Sequence, residues 1–435
     1  MKDLLVSPTA EKLYETVKDL PVIDYHCHLS PRQIRENATF SDIGEFWLGG
    51  DHYKWRVMRM MGIAEKFITG TASNREKFKA YASIVPYLIG NPLYDWTHRE
   101  LRDIFGITEP LSAQNADEVF DRASAALKDL SVWKLLDKFK VEFIATTDDP
   151  IDSLEYHGVV NDTRVTPTFR PDKLQTFSQE YIDELGKASG VEIATLGDLK
   201  RALTVRLDYF VSKGCKFSDH GFAAFPTRYP DEEEAQKLFL RRAFLTEEER
   251  EALWGRVLLF LTEEYAKRGI TMQIHFGVLR NVNPEKFALL GPDSGFDVIG
   301  EAPKTQDVLR YFALTPDEKR PKTVLYCLND SALPALACLT GAYANVVMGA
   351  AWWFNDNKAG IERNLEIISQ YSLLATNLGM LTDSRSFSSY CRFDFFRRII
   401  CSFTAAKVDA GECSFAQAKA VLSAVCYGNA KALIG

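Results

Sequence analysis

Cysteine and histidine are scarce: eight and seven in 435 residues, with no CxxC pair. That spacing excludes a zinc ribbon and gives no disulfide framework, so free thiols in a reducing cytoplasm are expected. No block of basic side chains exists. Asp and Glu outnumber Lys and Arg by 59 to 52, for a net charge of -7 and a pI near 5.7, so nucleic acid is not an expected partner. The longest nearly apolar stretch, Val346 to Phe354, is about half a membrane span and runs straight into Asn355 and Asp356, so no membrane association is expected. Asp3 and Pro8 interrupt the apolar region a secretory leader would need, and the amino terminus reads as mature sequence. GxGxxG, GxxxxGKS/T, GxSxG and HExxH are all missing, which removes support from dehydrogenase, kinase and serine hydrolase readings. There is no low-complexity segment and no linker rich in Gly, Ser or Pro.

What is present is a recurrence of short apolar, β-branched runs separated by helix-like sequence. Eight can be counted: Val22 to Tyr25, Val141 to Thr146, Val165 to Phe169, Cys215 to Phe217, Ile270 to Ile274, Thr323 to Tyr326, Val346 to Ala350 and Gly379 to Leu381. They do not alternate apolar with polar, as expected of strands buried on both faces. Amphipathic segments lie between them. In Leu199 to Lys213, for example, Leu203, Leu207, Phe210 and Val211 share a face and Gly214 follows as a stop. Eight such units predict an α/β fold, a (β/α)8 TIM barrel, with a doubly wound open sheet as the rival.

A barrel of this kind needs roughly 250 residues, which leaves room for an insertion. Residues 1–29 are assigned to the N-terminal helix and first strand, 30–140 to a helical insertion, and 141–435 to the rest of the barrel with a C-terminal helical tail. Within the insertion, Ser73 to Ile89, Trp96 to Phe105 and Ala116 to Leu130 carry helical spacing, and Asn115 with Glu118 resembles a capping box. A second helical excursion spans Asp231 to Arg268; its acidic starts and basic end complement helix dipoles. The exposed helices leave room for a homo-oligomer without fixing its symmetry.

In such a barrel, side chains at the C-terminal ends of the strands converge on one mouth. The runs are followed in turn by Asp24, His26 and His28; Asp148 and Asp149; Arg170; Asp219 and His220; His275; Asn329 and Asp330; Trp352 and Trp353; Asp383 and Arg385. His26 and His28 stand two apart on extended chain, so both imidazoles project to one side and can share a metal ion, with Asp383 as third ligand. Two ordinary histidines near a strand end would read the same way. Arg170 offers a planar fork for a carboxylate, or pairs with Asp172 or an acid on a neighbouring loop. Trp352 and Trp353 are a sugar-binding wall or plain core, His275 a ligand, a polarising donor or a structural residue. His52 and Tyr53, early in the insertion, are candidates for a lid over the mouth.

The motifs that carry these residues resemble the uronate isomerase (glucuronate isomerase) family of the amidohydrolase superfamily. The likeness rests on IDYHCHLSP (Ile23 to Pro31), WLGGDHYKWRVMR (Trp47 to Arg59), IGNPLYDWTHREL (Ile89 to Leu101), TTDDPIDSLEYH (Thr146 to His157), RPDK (Arg170 to Lys173) and GCKFSDH (Gly214 to His220). It continues through HFGVLRNVN (His275 to Asn283), LLGPDSGFD (Leu289 to Asp297), WWFND (Trp352 to Asp356) and MLTDSRSFSSY (Met380 to Tyr390). The resemblance implies reversible aldose–ketose isomerisation of a hexuronate, D-glucuronate to D-fructuronate and D-galacturonate to D-tagaturonate, through a cis-enediol. It also implies that His26, His28 and Asp383 hold a divalent metal, zinc in expectation. Asp383 would take part in proton abstraction, Tyr53 would shuttle protons between O1 and O2, Arg170 would hold the C6 carboxylate, and Arg385 would pair with Asp383 or the developing enediolate. His52, Asp219, His275, Trp352 and Trp353 would complete the substrate pocket.

Two departures stand out. Hydrolytic relatives commonly carry a carboxylated lysine after the fourth strand, where this chain reads Ser218, Asp219, His220, which argues against a binuclear hydrolytic site. The family pattern Arg-His-Glu-Tyr-Phe-Arg is replaced by Arg392, Phe393, Asp394, Phe395, Phe396, Arg397. The alternatives are a mononuclear metal-dependent hydrolase on the same barrel and an inactive sugar-acid binding protein. Arg170 and Tyr53 favour isomerisation over hydrolysis, which needs neither.

Overall fold

The computed structural model describes residues 3–435. Most of the apolar runs become strands: β1 (Val22–Asp24), β2 (Val141–Ala145), β3 (Thr163–Thr166), β4 (Thr168–Phe169), β5 (Phe217–Phe222), β6 (Thr271–Phe276), β7 (Thr323–Cys327) and β8 (Val346–Met348). β1, β2 and β3 form one parallel array, edged by a short antiparallel strand at Gly158–Val160, and β4 to β8 form another. Neighbours in space are neighbours in sequence throughout. A doubly wound sheet would reverse its order at a switch point.

The third run is cut in two by Pro167, which has no N–H to give a ladder. β3 pairs back to β2 and β4 pairs forward to β5. Across the cut, Asp148 N donates to Thr168 O at 3.1 Å and Arg170 N to Asp148 O at 2.9 Å. The fourth strand begins where its apolar run ends, so Asp219 and His220 lie inside β5, and His275 likewise lies inside β6. Alternation then separates the first two. Asp219 faces His275, whereas His220 faces outward against Trp254 and Tyr265.

The eighth run, Gly379 to Leu381, is not a strand. Gly379 has φ +73°, and a Cβ there would come within 2.2 Å of Val425 O. Its N–H goes to Asn377 Oδ1. The segment still touches both β8 and β1: Asn377 Nδ2 donates to Met348 O, Tyr25 Oη to Gly379 O, and Asp383 N to His26 O.

Between β1 and β2 every helix or strand is a helix, and these helices share one core with Cys391–Asp409: Trp47, Phe78, Tyr81 and Trp96 belong with Phe395 and Ile399. Ser73 and Glu76 form a capping box on Asn74–Ile84. Asn115 does not cap Ala116–Leu127; its side chain is taken by Ser112 N and Pro110 O, and Glu118 pairs with Arg122. In Leu196–Ser212, Leu203, Leu207 and Phe210 are buried as the pattern predicts, but Val211 is exposed. Inside the strands a small apolar cluster gathers Ile23, Phe143, Phe217, Val324 and Val347, one each from β1, β2, β5, β7 and β8. Truncating fully buried Phe217 to Ala would cost about 3–5 kcal/mol. All eight cysteines are free, and among the described residues no helix is long and apolar enough to cross a membrane.

Candidate active site

The segment leaving β1 carries His26 and His28 to one side, while Cys27 turns to the other and its thiol meets Ala145 O. Both His Nε2 atoms lie 3.1 Å from Asp383 Oδ1, and Trp352 Nε1 donates to Asp383 Oδ2 at 2.8 Å. Asp383 has φ +43°, in the left-handed region that Asp tolerates better than most residues. Burial alone would raise its carboxyl, but hydrogen bonds from His26 and His28 outweigh that and hold it well below the usual range. It is a carboxylate at any working pH. Burial pushes His28 down to about 4 despite Asp383, leaving a neutral ring with a lone pair to offer.

Behind this trio sits a second one. His275 Nδ1 and Asp219 Oδ1 are 2.7 Å apart, Arg170 Nη1 is 3.0 Å from Asp219 Oδ2, and the His26 and His275 rings are 4.7 Å apart. Burial would raise Asp219, but Arg170 first and His275 next hold it well below its ordinary value. Two groups could therefore hold a divalent cation: His26, His28 and Asp383, or His26, Asp219 and His275. The first fits better. Ligand atoms about 2.0–2.1 Å from one ion stand roughly 3 Å apart, as each of the two His Nε2 atoms does from Asp383 Oδ1. Asp219 already carries the Arg170 guanidinium, whose positive charge would oppose an ion there.

An open cavity of about 900 Å³ lies over both trios, and His26, His28, His52, Tyr53, Arg170, His275, Trp352, Trp353, Asp383 and Arg385 all line it. Asp219 does not; it is fully buried beneath. Tyr53 is placed by the N-terminus of the His52–Met60 helix, where Asp51 Oδ1 accepts the N–H of Tyr53 and Lys54 and Asp51 Oδ2 pairs with buried Lys54. Burial, helped by the charge of Asp383, raises the Tyr53 phenol well above its ordinary value and keeps it protonated. His52 and Tyr53 pack on Trp353, so the pair forms a wall rather than a separate lid.

Arg170 and Arg385 both have carboxylate partners in the structure. Arg170 does not present a free fork: its Nε is 2.8 Å from Asp172 Oδ2 and its Nη1 is on Asp219. A Cβ on Gly221 would stand 2.9 Å from Arg170 Nη2 and 3.0 Å from Asp172 Oδ2, so a side chain there would have to displace this pair. Arg385 does not pair with Asp383; it reaches outward to Asp293 Oδ2 at 2.7 Å, because Asp383 is already enclosed by His26, His28 and Trp352.

A sequence profile described as glucuronate isomerase matches residues 2–434. The chain belongs to the glucuronate isomerase family. This family member is 41% identical to a uronate isomerase of Haemophilus influenzae strain PittGG, over 98% of this chain and 97% of the relative, and strain 86-028NP has one at the same identity. Its fold matches a crystal structure of uronate isomerase from Thermotoga maritima with TM-score 0.97 and 34% identity, covering 100% of this chain and 99% of that one. Glucuronate isomerase from Caulobacter crescentus matches with TM-score 0.94 and 27% identity, covering 99% and 95%. The chain is an isomerase of the uronate isomerase type, α/β in fold.

The structure of this isomerase also brings in cavity residues that the sequence did not single out, Lys173, Gln175, Arg280, Asn281 and Asp293, beside Asp172, the partner foreseen for Arg170. Arg280 and Asp293 lie within HFGVLRNVN and LLGPDSGFD, whose length was visible but whose direction of folding, back over the mouth, was not.

Proposed function

We propose that this isomerase interconverts D-glucuronate with D-fructuronate, and D-galacturonate with D-tagaturonate, through a cis-enediol. The observation that carries the reading is the enclosure of Asp383 by His26, His28 and Trp352 at the floor of a cavity whose wall holds Tyr53. Moving a carbonyl from C1 to C2 takes a proton from C2, returns one at C1 and transfers a proton between the two oxygens. Asp383 receives the C2 proton and delivers it to C1. A carboxylate held this low is a weak base, so its effect comes from position and from the acidity of the carbon beside a polarised carbonyl. Tyr53, a neutral phenol, gives a proton to O1 and takes one from O2.

His26, His28 and Asp383 would hold a divalent ion, which we take to be zinc; when bound it supplies charge that polarises substrate oxygens. His275 donates its Nδ1–H to Asp219, which orients the ring and leaves Nε2 as an acceptor at the floor. Trp352 and Trp353 exclude water, and His52 packs the Tyr53 wall. Arg170 contributes the N–H edge that Asp172 and Asp219 leave over, and Arg385 stands at the rim to meet enediolate charge.

The same reading includes a closed (β/α)8 barrel in which residues 377–384 serve as the eighth stave, residues 30–140 as an inserted helical domain, and a cytoplasmic setting. The consecutive parallel order of β1 to β8 and the contacts of Asn377, Gly379 and Asp383 with both neighbours support it. The test is a substrate panel followed by NMR: hexuronates against amide and ester hydrolase substrates. Conversion of either hexuronate with no hydrolysis agrees with the reading; hydrolysis without isomerisation, or binding without turnover, overturns it.

A further inference from the structure

The peptide that joins Thr382 to Asp383 decides where the Asp383 carboxylate stands, because φ of Asp383 is the rotation about the bond that leaves this peptide. It is gripped at both ends. Asp383 N donates to His26 O at 3.1 Å, and the carbonyl of buried Thr382 accepts from Arg392 Nη1 at 3.0 Å. Thr382 N and Oγ1 both go to Asp24. Asp383 thereby keeps a φ of +43°, which a residue with a Cβ seldom adopts unless its surroundings hold it.

Arg392 opens the segment in which this chain departs from the family pattern, on the helix Cys391–Asp409, and is 2% exposed. Its guanidinium lies 3.7 Å from the centre of the Trp96 ring and 5.7 Å from that of Tyr53. Asp356 Oδ2 is 3.6 Å away, too far for a hydrogen bond but close enough to offset the charge. One planar group, outside the cavity lining, therefore grips the backbone that aims Asp383 and bears on the ring of Tyr53.

We propose that Arg392 is a positioning residue that fixes the Asp383 carboxylate relative to the Tyr53 hydroxyl, by holding the Thr382 carbonyl on one side and the Tyr53 ring on the other. This rests on the reading above that Asp383 and Tyr53 move the protons. An arginine that only fastened the helix would behave like Arg397, which stands five residues on, is also buried, and donates to the carbonyls of Lys18, Leu20 and Pro21 ahead of β1.

The test sets Arg392→Met and Arg392→Lys beside Arg397→Lys, Tyr53→Phe and the double variant Arg392→Lys with Tyr53→Phe, assayed on D-glucuronate. A misplacement of about 1 Å costs on the order of a hundredfold. Arg392→Met should lower kcat by about 30- to 100-fold. Arg392→Lys, which keeps a charge and a donor but not the flat stack, should lower it by about tenfold with KM within about threefold. Arg397→Lys should lower the melting temperature as much as Arg392→Lys does, yet leave kcat within about twofold. In the double variant the loss should fall short of the product of the single losses by at least about threefold, since a missing hydroxyl cannot be misplaced. If Arg392→Met does not fold, Arg392→Lys carries the comparison. Wild-type kcat in Arg392→Lys, an equal kcat loss in Arg397→Lys, or single losses that multiply in full would overturn the proposal. If Tyr53→Phe and Asp383→Asn both keep wild-type turnover, the catalytic reading fails by itself, and a crystal structure of Arg392→Lys decides the role of Arg392. Displacement of the Asp383 carboxylate from the two histidines by more than about 0.5 Å supports it, and unmoved geometry overturns it.

Discussion

At and just beneath the floor of the cavity, Asp219 and Asp383 hold their partners at 2.7 to 3.1 Å, Asp219 from inside β5 and Asp383 from the segment between β8 and β1. At the rim, Arg280, Asp293 and Arg385 are about 40% exposed and form one close pair and one loose one, with a second loose pair from Arg280 to buried Asp297. The floor has its charges balanced before any substrate arrives, so its geometry is set in advance, as a chemical step requires. The rim keeps a charge in reserve. On the proposed reading, the strands beneath keep the chemistry while segments that can vary form the rim.

The largest break in this contrast should come from the floor. Asp383→Asn keeps the shape and tolerates the left-handed backbone, yet turnover should fall by about 10³-fold with the fold intact by circular dichroism. Tyr53→Phe removes only the hydroxyl, and kcat should drop by about 10²-fold while KM moves little. Gly221→Ala pushes a methyl against Arg170 Nη2 and Asp172 Oδ2, and kcat/KM should fall by about tenfold through displacement of the guanidinium. Elemental analysis should find one divalent ion per chain, lost in His28→Ala; two ions per chain would mean that Arg170 leaves Asp219. Asp293→Asn at the rim should change KM by only about two- to threefold, because an exposed pair is worth little.

The smallest effect lies behind the rim, at Asp356. Burial pushes its carboxyl up to about 7, against the pull of Arg392. The folded state then favours the protonated form, so stability is full below the unfolded value near 4 and declines as pH rises toward 7. Asp356→Asn should flatten this decline, seen as a smaller difference between melting temperatures at pH 5 and pH 8.

The sequence made the floor legible because strand ends and spacing are local facts. His26 and His28 two apart, and Asp383 late in the chain, needed only the eightfold pattern to be brought together. Asp219 and His275 were found as residues but placed past their strands, since polar side chains inside β5 and β6 look like strand ends to any reading based on apolar runs. Gly379 to Leu381 read as a strand by composition, yet the positive φ of Gly379 and the crowding by Val425 deny it a ladder. The rim was least legible. Whether Arg385 meets Asp383 or Asp293 depends on where residues 278–300 fold back, and no local spacing encodes that.

The central claim is that a proton leaves C2 and returns at C1 through Asp383, beneath the Tyr53 wall. It is tested by following D-glucuronate in deuterated water by NMR with the wild type and Asp383→Asn. The account predicts D-fructuronate from the wild type, carrying solvent deuterium or retained hydrogen at C1, and neither conversion nor exchange from Asp383→Asn. Undiminished conversion by Asp383→Asn, or C2 exchange with no ketose formed by the wild type, would contradict it.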